Sequence, residues 1–191
     1  MKCCSNSSSG SNASSNARAA CSISNPSPFT ATSAADTGDV VANDEVTRLI
    51  ATFFDTDTAV LDVVPGAAAA LAALGDRAQI LILSNLPESA REARQANLAG
   101  HGMPYPVVAG SGPKGIVVKR LIEDTRQPVV FIDDLPPHHT SVAAETPTVH
   151  RLHFVADPRL AALLPPARDA HKRIDEWPAA TNWIASVIGE A

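Results

Sequence analysis

The chain has 191 residues, 45% hydrophobic and 18% charged, enough apolar surface for one core and too much for a wholly disordered or fibrous chain. Its formal net charge of -5 speaks against a nucleic-acid partner, whose phosphate backbone needs a basic face. It also lacks the run of roughly 18 apolar residues that a membrane-spanning helix requires.

The averages hide a division. Residues 1–43 hold the cysteines Cys3, Cys4 and Cys21 and no acid before Asp36, whereas residues 44–191 carry almost all the charge and no cysteine. A cysteine-free body suits a reducing compartment, so a cytoplasmic location is expected. The start, MKCCSNSSSGSNASSNARAACSIS, has no apolar stretch of the kind a secretory signal uses. Its Ser-rich, acid-poor composition is also that of a transit peptide, but only Lys2 and Arg18 supply charge. From Ser5 to Thr37 there is too little aliphatic surface to offset the entropy of ordering, so residues 1–43 are expected to be a disordered tail.

Asn43-Asp44-Glu45 reads as a helix start, with Val46, Leu49, Ile50 and Phe53 following at helical spacing. Pro65-Gly66 opens an Ala-rich helix that Gly75 stops. Ala78 to Leu83 is a continuous apolar run of strand length. Pro87 to Leu98 reads as a helix, Tyr105 to Ala109 as a short strand, Lys114 to Asp124 as a helix and Pro128 to Ile132 as a strand. A short helix starts at Pro136 or Pro137, Val149 to Phe154 is a further strand, and Asp157 to Leu164 and Ile174 to Ile188 are helical. Trp177 and Trp183 are expected to pack on the sheet. Strand and helix alternate over residues 65–154, the signature of a parallel α/β sheet.

In such sheets the ligand crevice lies beyond the carboxyl ends of the strands. VVFIDD leaves Asp133 and Asp134 where a strand meets a loop; the pair can hold hard Mg²⁺, or it can simply form a turn before a helix. Ser84 and Asn85 end ILILSN and can hold a phosphate oxygen together with backbone N–H groups, though a Ser/Asn turn is ordinary there. Lys114 opens a helix after a glycine-rich loop, where a cation runs against the helix dipole and a phosphate would account for it.

An apolar strand ending in Ser, a glycine-flanked Lys opening a helix, and an apolar strand ending in Asp-Asp, in that order, resemble motifs two, three and four of the haloacid dehalogenase-like hydrolases. The surrounding phrases VVPGAAAALAALGDRAQILILSNLP and VVFIDDLPPHHTSVAAE resemble the same motifs. The resemblance implies a three-layer Rossmann-like α/β fold with a mostly parallel sheet, Mg²⁺ as cofactor and a small phosphorylated molecule as substrate. It also implies roles: Ser84 and Asn85 on the phosphoryl group, Lys114 stabilising its charge, Asp133 and Asp134 holding Mg²⁺.

The first motif of that family is an apolar strand followed by D-x-D-x-[T/V], the first Asp attacking phosphorus and the second acting as acid/base. The candidate here is Asp55-Thr56-Asp57-Thr58-Ala59, which makes Asp55 the nucleophile and Asp57 the acid/base. Against it stand Ala59 in the fifth position, the helical periodicity before it, and the short reach from Asp57 to Pro65. Residues 44–64 fit better as the last helix of a cap, with residues 65–191 as the core. On that reading the motif-one strand belongs before residue 44 and is missing, so hydrolysis is impaired. Its slot lies between the strands bearing motifs two and four, and GDVVAN (38–43) alone upstream hints at a strand.

Two alternatives stand beside the hydrolase. One is an inactive relative that binds a phosphorylated ligand or a partner, or a truncated product. The other is a dinucleotide-binding domain, because Gly110-Ser111-Gly112-Pro113-Lys114-Gly115 satisfies G-x-G-x-x-G with Asp133 ending the next strand. His138 and His139 read as residues that cap or solvate a helix start. His150 and His153, an odd number apart on a strand, point to opposite faces.

Overall fold

The structure, a computed structural model, describes residues 17–21 and 43–189. Its strands are β1 (Ala17–Cys21), β2 (Ala78–Asn85), β3 (Val107–Gly110), β4 (Val129–Asp133), β5 (His150–His153) and β6 (Lys172–Arg173). All pair in parallel in the order β3-β2-β1-β4-β5-β6.

The expected disordered tail is corrected at Ala17–Cys21. This segment is the central strand: Ala19 pairs with Ile80 of β2 on one side and Val130 of β4 on the other. The physical reason is the slot itself. Without a strand there, the facing backbone groups of β2 and β4 would lose their ladder partners in the middle of the sheet. GDVVAN lies outside the described residues up to Asn43, and so does the rest of the expected tail.

The helices are α1 (Asn43–Thr56), α2 (Ala67–Gly75), α3 (Arg91–Gly100), α4 (Gly115–Leu121), α5 (Pro136–Glu145), α6 (Pro158–Leu163) and α7 (Trp177–Ile188). Alternation along the strands sorts them into layers. Ile80, Ile82, Val130, Ile132 and Leu152 join one core with Leu71 and Leu74 of α2, Leu98 of α3, and Trp177 and Ile184 of α7. Leu83, Val129 and Phe131 point the other way and meet Val118 of α4 and Val142 of α5. Each such side chain, fully buried, contributes about 1.5–3 kcal/mol. The Trp177 ring packs on Phe154 with centroids 4.6 Å apart, and Trp183 is partly buried against the same core.

Three helices begin with a proline in the first turn, where the missing N–H costs nothing: α5, α6 and α7. Segment 44–64 is tied to α3 by a polar clasp. The buried Arg94 guanidinium donates to Asn97 Oδ1 at 2.8 Å, and Asn97 Nδ2 donates to the carbonyls of Ala59 and Leu61, each at 3.1 Å. Among the described residues no helix is long and apolar enough to cross a membrane.

Candidate functional site

The strand order reverses between β1 and β4, and in open parallel sheets the crevice at such a reversal is the usual ligand site. The carboxyl ends of β2 and β4 and the loop leaving β3 bring Ser84, Asn85, Lys114, Asp133 and Asp134 to that end of the sheet.

Asp133 shares its strand face with Val129 and Phe131, so it points toward the layer of α4 and α5. Its Oδ2 accepts from Lys114 Nζ at 2.8 Å and its Oδ1 from the Leu135 backbone N–H at 2.8 Å. The two side chains are 0% and 2% exposed, a depth at which neither charge is tolerable without the other. Lys114 precedes α4 as its N-cap, and Gly112 at φ 71° makes the turn that delivers it. Asp134 is half-buried.

Ser84, also half-buried, lies opposite Ala109 in the β2–β3 ladder. Asn85 Nδ2 donates to the Gly112 carbonyl at 3.0 Å, using one of two amide hydrogens and tying the β2 end to the lysine-bearing loop. The loop is further set by α4 itself: Gly115 N–H donates to Ser141 Oγ at 3.0 Å, and a Cβ on Gly115 would overlap the Ser141 carbonyl.

Two histidines that the sequence placed on a solvated helix start are inside the molecule, because α5 lies flat on the sheet. His139 is 0% exposed, its ring 5.6 Å from Phe131 and 5.3 Å from His153 between centroids. Burial is the main cause that pushes its pKa down to about 4, so the ring is neutral. His138 is 9% exposed and lies within electrostatic range of Asp133 and Lys114; burial, the larger effect, lowers its pKa as well. His153 points inward and His150 lies half-buried beside His171, the opposed faces expected.

No family model matches the sequence, and no curated protein matches it. Solved structures do. A haloacid dehalogenase-like family hydrolase from Streptococcus pneumoniae superposes with TM-score 0.63 at 10% identity, covering 90% of this chain and 99% of that one. A protein named as a haloacid dehalogenase-like hydrolase, from Burkholderia xenovorans LB400, matches with TM-score 0.50 at 20% identity. That match covers 73% of this chain and 66% of the other, just under two thirds of its length. The fold is haloacid dehalogenase-like.

On the haloacid dehalogenase-like fold the strand between those of motifs two and four is the motif-one strand, and β1 holds that slot. The residues that follow it in sequence are Ser22-Ile23-Ser24, with hydroxyls at the D-x-D spacing. Asp55 lies instead in the last turn of α1 and Asp57 just after it, both exposed. Thr56 Oγ1 donates to Asp57 Oδ2 at 2.7 Å. Neither acid ends a strand, because the periodicity that precedes them is helical.

The end of β4 supplies two adjacent carboxylates, Asp133 and Asp134, donors of the hard oxygen type that Mg²⁺ takes. Among the described residues no cluster of three or more His, Cys, Asp or Glu is placed to hold a metal, but Mg²⁺ commonly takes one or two carboxylates and completes its shell with water and substrate phosphate. The dinucleotide fingerprint does not fit. Its glycine loop leaves β3 at the sheet edge, separated by β2 and β1 from β4, the strand that Asp133 ends. A fingerprint needs its acid exposed on the neighbouring strand. A groove of about 400 Å³ beside α3, lined by Ala59, Ala93, Ala96, Asn97, Gly100 and His101, contains none of the strand-end residues.

Proposed function

We propose that the chain binds a small phosphorylated molecule together with Mg²⁺ at the carboxyl end of its sheet, and that it hydrolyses phosphate esters weakly or not at all. The observation that carries this reading is the buried Lys114–Asp133 pair at the reversal of strand order, with Ser84 at the same end of the sheet on β2. Asp133 and Asp134 would hold Mg²⁺, which when bound neutralises phosphate charge. Lys114 holds Asp133 in place and supplies positive charge to the crevice. Ser84 and the second amide hydrogen of Asn85 donate to phosphoryl oxygens.

Turnover by the haloacid dehalogenase-like route needs a carboxylate after β1, and Ser22 and Ser24 stand there. An un-ionised serine is a weak nucleophile without an adjacent base. The test is calorimetry with Mg²⁺ and inorganic phosphate, alongside release of p-nitrophenol from p-nitrophenyl phosphate. Binding without turnover is expected; absence of both heats overturns the reading, and Mg²⁺-dependent turnover lost in Asp133→Asn restores a working hydrolase.

A further inference from the structure

Beneath the acid pair lies a second layer of contacts that the resemblance to known motifs does not assign. His139 Nε2 is 3.0 Å from the main-chain carbonyl oxygen of Asp133. His153 Nε2 is 2.9 Å from that of Asp134. A carbonyl can only accept, so in both rings Nε2 carries the hydrogen. For His153 the assignment is independent as well: its Nδ1 accepts from the Ala167 backbone N–H at 3.0 Å, which leaves Nε2 as the protonated nitrogen of a neutral ring.

Both rings are fully buried, and they pack edge to face with centroids 5.3 Å apart. His139 rests on Phe131 of β4 and His153 ends β5, so α5, β4, β5 and the segment at Ala167 all close on the two carbonyls. The Asp133 carbonyl also accepts from the Phe154 backbone N–H at 2.9 Å. Two successive peptide oxygens are thus gripped from below, at the point where the strand must stop and present its carboxylates.

We propose that His139 and His153 are positioning residues for the acid pair, two buried imidazoles that hold the main-chain carbonyls of Asp133 and Asp134 and so fix the backbone from which both carboxylates reach a divalent cation. The proposal rests on the reading of these acids as a Mg²⁺ site. Its chemistry is that of an outer shell: a group that never meets the metal sets the orientation of those that do, and its loss typically costs ~10–100-fold in metal affinity.

The test uses side chains of similar size that differ in one capacity. Glutamine can place an N–H where Nε2 stands, and methionine cannot. The full chain and its His139→Gln, His139→Met, His153→Gln and His153→Met variants are titrated with Mg²⁺ by calorimetry, with circular dichroism to confirm folding. The expected result is an affinity about tenfold weaker in the methionine variants and within about twofold of the parent in the glutamine variants. Methionine variants that fold and bind Mg²⁺ as the parent does overturn the proposal while the metal site stands. If the methionine variants do not fold, the glutamine variants decide: retained affinity supports the proposal, and a folded glutamine variant tenfold weaker overturns it. A parent chain that takes no Mg²⁺ fails the reading of the site, and the proposal with it.

Discussion

Lys114 and Asp133 form an ion pair of 2.8 Å with side chains 2% and 0% exposed, and the two come from opposite sides of the central strand, one after β3 and one at the end of β4. The pair therefore links the sheet edge to the strand-order reversal. Removing one partner leaves a buried charge without compensation. Lys114→Met is expected to lose about 3–5 kcal/mol of unfolding free energy, read from urea denaturation, while the double change Lys114→Met with Asp133→Leu loses less than the two single changes together.

Deletion of residues 1–42 tests the central strand. A chain starting at Asn43 lacks β1 and leaves β2 and β4 without partners on their facing edges. It is expected to show no cooperative thermal transition. Within the full chain, Ala19→Pro removes a ladder donor at the residue paired on both sides, with a loss on the order of 3 kcal/mol or more. A truncated chain that melts like the parent would assign the slot to another segment.

The contrast between β1 and β4 shows what local sequence can carry. PVVFID announces a buried strand through β-branched and aromatic residues, and its end gives the acid pair directly. ARAAC announces nothing: alanine has low strand propensity and the segment is short, so its conformation is decided by neighbours distant in sequence. The two-residue β6 is silent for the same reason. His139 and His153 were illegible because a histidine suits surface and core alike; their shared task becomes visible only when α5 and β5 lie side by side. The helix carrying Asp55 was, by contrast, readable from periodicity alone.

Buried His139 gives stability a defined pH dependence. Its folded pKa is lowered to about 4 from the ordinary 6.5, chiefly by burial. Between those values the unfolded chain binds a proton that the folded chain does not, so stability rises with pH across this window. The contribution is complete above about pH 6.5, falls as pH drops from 6.5 toward 4 by on the order of 3 kcal/mol, and changes no further below. Burial lowers the His153 and His138 values too, adding to the same trend. Urea midpoints measured from pH 7 to pH 4 should decline, and the decline should be shallower in His139→Gln.

Gly115 marks the closest approach of α4 to α5. A Cβ there meets the Ser141 carbonyl carbon and oxygen, which are backbone atoms that cannot rotate away. Gly115→Ala should therefore separate the helices and cost about 1–3 kcal/mol, despite the better helix propensity of alanine. Because Lys114 is the preceding residue, the same variant should also weaken phosphate binding measured by calorimetry. Ser141→Ala, which removes only the hydroxyl that accepts from Gly115 N–H, should cost about 1 kcal/mol.

The residues after β1 offer the sharpest test of the proposal that turnover is weak. Ser22 and Ser24 stand at the spacing of the two carboxylates that the haloacid dehalogenase-like route uses, while Ser84 lies at the end of β2, Lys114 precedes α4 and Asp133 ends β4. If the missing step is attack on phosphorus, restoring acids at those two positions should supply it. The double variant Ser22→Asp, Ser24→Asp is expected to gain Mg²⁺-dependent release of p-nitrophenol, and Ser24→Asp alone should not, since an acid/base without a nucleophile has nothing to assist. A double variant that binds Mg²⁺ and phosphate yet shows no gain would place the deficiency elsewhere in the crevice, in the geometry of Ser84 and Asn85 toward the phosphoryl group.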